Sequence, residues 1–151
     1  FSDPERRAAA FNLDSLSAEV MLDVLRVNSL APLLVVKHLR GLLRKSKSPI
    51  VINISSWLGS ISKVARGGHY GYVGSKSLMN MLNKSMALEL VDDGIICMNV
   101  NPGWVKTDMG GDKADLTAAE SVNQSIENVI LKATLEKSGG FYSYDGTEHP
   151  W

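Results

Sequence analysis

The chain has one cysteine, Cys97, so it cannot close an internal disulfide. Cys97 lies in the apolar run Ile95-Ile96-Cys97-Met98, where a thiol acts as a small buried hydrophobe, a use that fits a reducing, cytoplasmic setting. The three histidines, His38, His69 and His149, are too dispersed to share a metal ion and have no cysteine cluster beside them, so no metal site is expected. Net charge is also lacking: 16 Lys and Arg balance 16 Asp and Glu. This argues against a general nucleic-acid or anionic-membrane surface, both of which draw on a basic excess. The one dense basic patch, Arg40, Arg44, Lys45 and Lys47, falls where a predicted helix ends, and attraction to the helix dipole accounts for it. Long apolar runs are missing too. Leu33 to Val36 is wholly apolar, and even Leu30 to Val36 is far short of a membrane span. No secretory signal pattern is visible. The chain opens on Phe1, not methionine. There is no G-x-G-x-x-G. The run Gly68-x-x-Gly71-x-x-Gly74 lacks that form and predicts a tight loop with close helix packing.

What is present is an ordinary globular composition, 44% hydrophobic and 21% charged over 151 residues, enough for one domain with a real core. Residues 1–15 are weakly patterned and predict a loop with at most a turn of helix. Ser17 is a good N-cap, and the apolar residues from Val20 to Leu42 then predict a long helix. Asn28 and Pro32 interrupt its middle. The proline removes a helix hydrogen bond and invites a bend, while Asn28, among apolar neighbours, needs a polar partner. The run Pro49-Ile50-Val51-Ile52-Asn53-Ile54-Ser55 predicts a strand buried on both faces. A glycine-containing loop leads to a helix from the Tyr72 region to a stop at Asp92-Asp93-Gly94. Ile95 to Val100 predicts a second buried strand, ending at Asn101-Pro102-Gly103. Thr117-Ala118-Ala119-Glu120 is a capping box before a helix with Val122, Ile126, Val129 and Ile130 on one face. Phe141-Tyr142-Ser143-Tyr144 predicts a last short strand, and Asp145-Gly146 a turn. Helix and strand alternate, which predicts an α/β domain with a parallel sheet.

In such a sheet, ligands bind outside the carboxyl ends of the strands. Ser55-Ser56, Asn101-Pro102-Gly103 and the first turns of the Tyr72 helix should all meet at that edge. Tyr72 and Lys76 lie four residues apart, on one helical face, with a rise of roughly 6 Å between their Cα atoms. A nearby positive charge favours a phenolate, which eases proton transfer near neutral pH. Taken alone, such a pair more often means a packed tyrosine beside a solvated lysine. Ser56 alone could be a turn serine, and Pro102-Gly103 an ordinary turn. Their occurrence together, in this order, favours a site.

Four ordered motifs carry a resemblance: Val27-Asn28-Ser29-Leu30, Val51-Ile52-Asn53-Ile54-Ser55-Ser56-Trp57-Leu58-Gly59, Tyr72-x-x-x-Lys76, and Asn101-Pro102-Gly103-Trp104-Val105-Lys106-Thr107-Asp108-Met109. Together they resemble the C-terminal, catalytic portion of a short-chain dehydrogenase/reductase. The likeness covers nearly all of residues 1–151. Within that family, the run to Gly110-Gly111 and the ending Tyr144-Asp145-Gly146-Thr147-Glu148-His149-Pro150-Trp151 are similar to the sniffer-like carbonyl reductases and the C-factor signalling proteins. The resemblance implies a Rossmann-like, doubly wound parallel sheet without the N-terminal Gly-rich βαβ half. Phe1 would fall about where the chain leaves that half.

The resemblance also implies roles. Tyr72 would be the general acid or base. Lys76 would lower its pKa and hydrogen-bond the nicotinamide ribose. Ser56, favoured over Ser55 by the register of Gly59, would hold the substrate oxygen. Asn28 would keep the bent helix open and support a water leading to Lys76. Pro102, Gly103, Val105 and Thr107 would line the nicotinamide. Trp57, His69 and Trp104 are candidates for a substrate pocket, although a loop role suits His69 better and a structural one suits Trp104 equally well. The implied cofactor is NADP(H) or NAD(H), with a lean to NADP. The implied partner is a small carbonyl or alcohol substrate, with a homo-oligomer compatible. Ser56 and Tyr72 are sixteen residues apart, longer than the commonest family spacing, which bears on substrate shape. A C-factor-like signalling or interaction protein, or an inactive fragment, is the alternative implied.

Overall fold

The computed structural model describes residues 3–151. Three strands form one parallel sheet in the order β1 (Ile50–Ile54), β2 (Ile96–Asn101), β3 (Phe141–Ser143). Ile50 pairs with Ile96 and Asn53 with Asn99, and across the other edge Asn101 pairs with Ser143. All three strands therefore run out at the same edge of the sheet.

Side chains alternate along β2, and each face collects its own core. Cys97 joins Val36, Met86, Ala87, Leu90 and Ile95 on the side of helices α3 (Ala31–Leu43) and α4 (Tyr70–Glu89). Met98 and Val100 join Val129, which follows α5 (Ala118–Ser125). Helices on both faces of a parallel sheet are the predicted α/β architecture. Cys97 is fully buried, and desolvation pushes its thiol pKa up to about 11, so it packs as an inert small hydrophobe. Among the described residues, no helix is long and apolar enough to cross a membrane.

The predicted long helix exists, but its interruption differs from a simple proline bend. Helix α2 (Ala18–Leu25), capped by Ser17, runs into a π-turn at Arg26–Leu30 and continues as α3. The Ala31 amide donates five residues back, to the Arg26 carbonyl. Pro32 sits in the first turn of α3, where its missing N–H is tolerated. The irregularity thus centres on Asn28, the wider turn having formed ahead of the proline.

Other expectations need correction. Residues Pro4–Phe11 form a helix, α1, because Asp3 caps it through the amides of Glu5 and Arg6 and Pro4 opens it; the prediction for Phe1 and Ser2 lies outside the described residues. The sheet's outer strand β1 is half-buried, and Ile54 at its end is exposed. An edge position leaves it less covered than a strand with neighbours on both sides. Along α5 and the turn that follows it, the buried stripe is Ser121, Ser125 and Val129, while Val122 and Ile126 are exposed. The i, i+4 stripe containing the serines faces inward because Ser121 donates to the Pro102 carbonyl and Ser125 to that of Ser121. β3 stops at Ser143, one residue early. The tail beyond returns over it: His149 stacks on the Phe141 ring, Trp151 tilts against it, and Ser62 donates twice to the Trp151 carbonyl.

The predicted close packing at Gly71 is present. A Cβ there would lie 3.1 Å from the Ala10 Cβ, so the glycine lets α1 rest directly on the start of α4. The sheet face toward α4 also carries amides. Asn53 donates to Asn83, but both polar atoms of the Asn99 side chain are buried without a partner among the described residues. Such a group costs about 1–3 kcal/mol of desolvation.

The basic patch does more than meet a helix dipole. Arg40 donates to Asp93 at 2.7 Å and to Glu89 at 3.1 Å, and Arg44 meets the other Asp93 oxygen at 2.8 Å. The two arginines thereby tie the end of α3 to the turn after α4, and their hydrogen bonds, Arg44's foremost, hold the Asp93 carboxyl below its ordinary pKa.

Two tests follow from this frame. A depressed carboxylate contributes stability above its unfolded pKa, near 4, and loses it as pH falls through the folded value. Asp93→Asn should therefore lower the denaturant midpoint near neutral pH, with the gap to wild type closing in acid. A gap independent of pH would show the carboxylate charge to be idle. Gly103, in the turn after β2, has φ of 79° and stands where a Cβ would come within 2.8 Å of Leu116 and Tyr144 side-chain atoms. Gly103→Ala should cost about 1–3 kcal/mol in urea unfolding; an unchanged midpoint would contradict the packing described.

Candidate active site

Helix α4 begins next to the carboxyl end of β1, and its first two turns hold Tyr72 and Lys76. His69 precedes it in the left-handed conformation, φ 58°. Its amide donates to the Phe11 carbonyl, and its ring packs on Phe11 with centroids 4.5 Å apart. His69 is thus placed as the anchor between α1 and α4.

The Lys76 ammonium donates to the Ile54 carbonyl, the last of β1, at 2.7 Å. It lies 5.8 Å from the centre of the Tyr72 ring, close enough for a cation–π attraction. Burial holds its pKa below the ordinary lysine value, as desolvation does for any ammonium. Two of its three N–H donors remain. The Tyr72 ring is half-buried and its hydroxyl has no partner among the described residues.

Asn28 finds the partner that its setting demanded. Its Nδ2 donates to the Ser75 hydroxyl at 3.0 Å, and Ser29 donates to the Ser75 carbonyl at 2.7 Å. The Ser75 hydroxyl in turn donates to the Tyr72 carbonyl. The π-turn is therefore bolted to the turn of α4 that spans Tyr72 to Lys76. Sequence reasoning passes over Ser75; its place directly before Lys76, on the inner face of a helix, is the available signal.

The two serines after β1 divide their work. Ser55 is buried and donates to Asn80 Oδ1 at 2.7 Å, so its proton is committed. Ser56 accepts from the Leu58 amide at 3.2 Å, which leaves its own proton to donate. The turn is held down on α4, since Ser77 and Asn80 both donate to the Gly59 carbonyl. Trp57 is partly exposed beside Ser56.

Beyond β2, the Pro102 carbonyl accepts from Ser121, which sets the turn that contains Gly103. Val105 pairs with Leu116 in a short parallel bridge. The exposed Thr107 hydroxyl accepts from the Gly110 amide, and the Trp104 indole donates to the Gly110 carbonyl at 2.8 Å. Trp104's polar edge thus closes the loop over residues 104–110, a structural use of that ring. The strand ends bring Ser56, the Tyr72–Lys76 helix and Pro102-Gly103 to one edge, while His69 serves the α1 contact. Among the described residues, no group of three or more His, Cys, Asp or Glu side chains could hold a metal.

The chain is 39% identical over 125 residues to the C-signal of Myxococcus xanthus, a match covering 83% of this chain and 75% of that protein. Among solved structures, the carbonyl reductase Sniffer of D. melanogaster superposes with a TM-score of 0.87 at 36% identity, over 93% of this chain and 60% of that one. The NADPH-bound carbonyl reductase from chicken fatty liver matches with a TM-score of 0.87 at 32% identity, over 94% and 61%. The chain thus spans about 60% of the length of these reductases. The family model for short chain dehydrogenases matches residues 8–127, and the chain belongs to that family.

Proposed function

We propose that this chain carries the catalytic portion of an NAD(P)(H)-dependent oxidoreductase that interconverts a carbonyl and an alcohol. The observation that carries the proposal is Lys76, fixed to the end of β1 with donors to spare and held one helical turn from a tyrosine whose hydroxyl has no partner among the described residues. In reduction, Tyr72 gives its proton to the carbonyl oxygen, and in oxidation it takes one back. Lys76 stabilises the phenolate left behind. Ser56 donates to the same oxygen and orients it.

The residues present fit the nicotinamide end of a cofactor. Lys76 and Tyr72 would meet the ribose, and Pro102, Gly103, Val105 and Thr107 would line the ring and its carboxamide. Bound, the nicotinamide supplies or accepts the hydride. No Gly-rich strand-to-helix turn for a pyrophosphate occurs in this sequence. The similar chicken reductase is NADPH-bound, which supports the lean to NADP. Trp57 stands beside Ser56 as the candidate wall of a pocket for a small carbonyl substrate, and a homo-oligomer in a reducing, cytoplasmic setting belongs to the same proposal.

Tyr72→Phe, made in a polypeptide with a phosphate-binding βαβ unit ahead of Asp3, should cut turnover of a carbonyl substrate by about 10²-fold or more while circular dichroism stays unchanged. Full turnover in that variant would remove the assignment. The kinship with a protein called C-signal supports a second reading, a signalling or interaction role for the same fold. Under it, a cofactor-free Lys76→Ala chain keeps its biological activity; under the reductase reading that activity depends on cofactor.

A further inference from the structure

The three strand ends are joined by one side chain that lies outside the acid–base set. Asn101, the last residue of β2, is buried. Its Oδ1 accepts from the Trp57 amide at 3.1 Å and from the Gly103 amide at 3.2 Å. Its Nδ2 points to the Ser143 hydroxyl at 3.4 Å, and its main-chain carbonyl accepts from Tyr144 at 2.9 Å. Two converging N–H donors fix which end of the amide is oxygen. We infer that Asn101 is the positioning residue of this active site, a side-chain clamp that fixes the Ser56-Trp57 turn against the Pro102-Gly103 turn.

The inference rests on the reductase reading for its consequence, though not for its geometry. Ser56 is the group that orients the carbonyl oxygen, and Gly103 belongs to the wall against which the nicotinamide would lie. Their separation therefore governs how the reacting carbon meets the hydride. Neither turn is joined to the other by main-chain pairing once the strands have ended, since the β1–β2 ladder stops at Ile54 and Val100, with one further bond from the Ser55 amide to the Val100 carbonyl. Trp57 and Gly103 lie two or more residues further on. An apolar side chain at position 101 would leave both amides without their acceptor, and the two turns free to drift. Misplacement of reacting groups by about 1 Å can cost on the order of 10²-fold in rate. An aspartate has the same shape and accepts two N–H donors well, and the Ser143 hydroxyl can turn to donate to it. Asp therefore separates the clamp from mere bulk.

The test uses Asn101→Leu, Asn101→Ser and Asn101→Asp. Amide hydrogen exchange in the 151-residue chain should speed up by roughly tenfold at Trp57 and Gly103 in the Leu and Ser variants, as loss of one ordinary hydrogen bond implies, and return toward wild type in Asn101→Asp. Should the Leu variant fail to fold, the Ser variant, whose hydroxyl is too short to reach both amides, decides the matter. In the extended, turnover-competent polypeptide, kcat should fall by about 10- to 100-fold in the Leu or Ser variant. The pH profile of kcat should keep its shape, because Tyr72 and Lys76 are untouched, and Asp should restore the rate. Unchanged exchange at both amides, or a kcat loss that Asp does not relieve, would overturn the proposal. Normal turnover in Tyr72→Phe would instead overturn the reductase reading and leave the exchange result standing, so the two failures are distinct.

Discussion

The hydrogen bonds converging on Ser75 set the geometry on which the rest depends. A buried serine inside a helix would ordinarily turn its hydroxyl back on its own backbone. Ser75 does so, donating to Tyr72, while its oxygen accepts from Asn28 and its carbonyl from Ser29. Those partners become available because the helix before them widens into a π-turn, which offers Asn28 and Ser29 to α4 together. The irregular turn and the helix that bears the tyrosine are thus one mechanical unit. Lys76, the next residue, then reaches the end of β1. A chain of short contacts runs from the distorted helix through α4 to the sheet, and it positions Tyr72 while its hydroxyl makes no bond among the described residues.

The polar interior follows from the same arrangement. Asn53, Asn80, Asn83 and Asn99 line the junction of α4 and the sheet, where an aliphatic layer would be simpler to pack. Asn80 holds Ser55 and Gly59, and Asn83 receives Asn53. These bonds fix the serine turn on α4 and commit Ser55, which leaves Ser56 as the serine with a proton to give. The remaining packing is apolar, in two cores on opposite faces of the sheet, one of them further along α4 at Met86 and Ala87. Specific polar bonds gather where position matters, and apolar burial, at about 25 cal/mol per Å², supplies the bulk stabilisation elsewhere.

What can be read in the sequence is what periodicity and local chemistry determine. The capping box at Thr117 and Glu120, the Ser17 cap, the buried run of β2 and the glycine stop after α4 all depend on neighbours in the chain. The edge position of the strand ends follows from topology alone. What cannot be read depends on partners far away in sequence. Asn28 declares a need for a partner, but nothing local names Ser75, forty-seven residues on. Val122 and Ile126 look like the inward face of α5, whereas Ser121 faces inward through its bond to Pro102. Helix α1 escapes a reading by apolar pattern because its signals are a cap and a proline, not a stripe. The half-exposure of β1 reflects its edge place in the sheet, which its own apolar sequence does not encode.

The two functional readings make different demands on this geometry. A signal or docking protein needs a surface of suitable shape, and an ammonium drawn partly out of water adds nothing to that. Lys76 carries a desolvation cost, visible as its lowered pKa, for a bond to a strand-end carbonyl that an uncharged donor could make as well. Asn99 carries a further cost in an amide without a partner among the described residues. Structures depart from locally favourable choices mainly where function requires it. The departure at Lys76 lies one helical turn from a phenol whose hydroxyl has no partner among the described residues, and its bond is to the carbonyl of Ile54, two residues before Ser56. The proposed proton transfer would use that arrangement, and surface recognition does not require it. The arrangement at the Tyr72 edge therefore favours the proposed reductase chemistry, whereas the signalling reading would draw on the fold's outer faces.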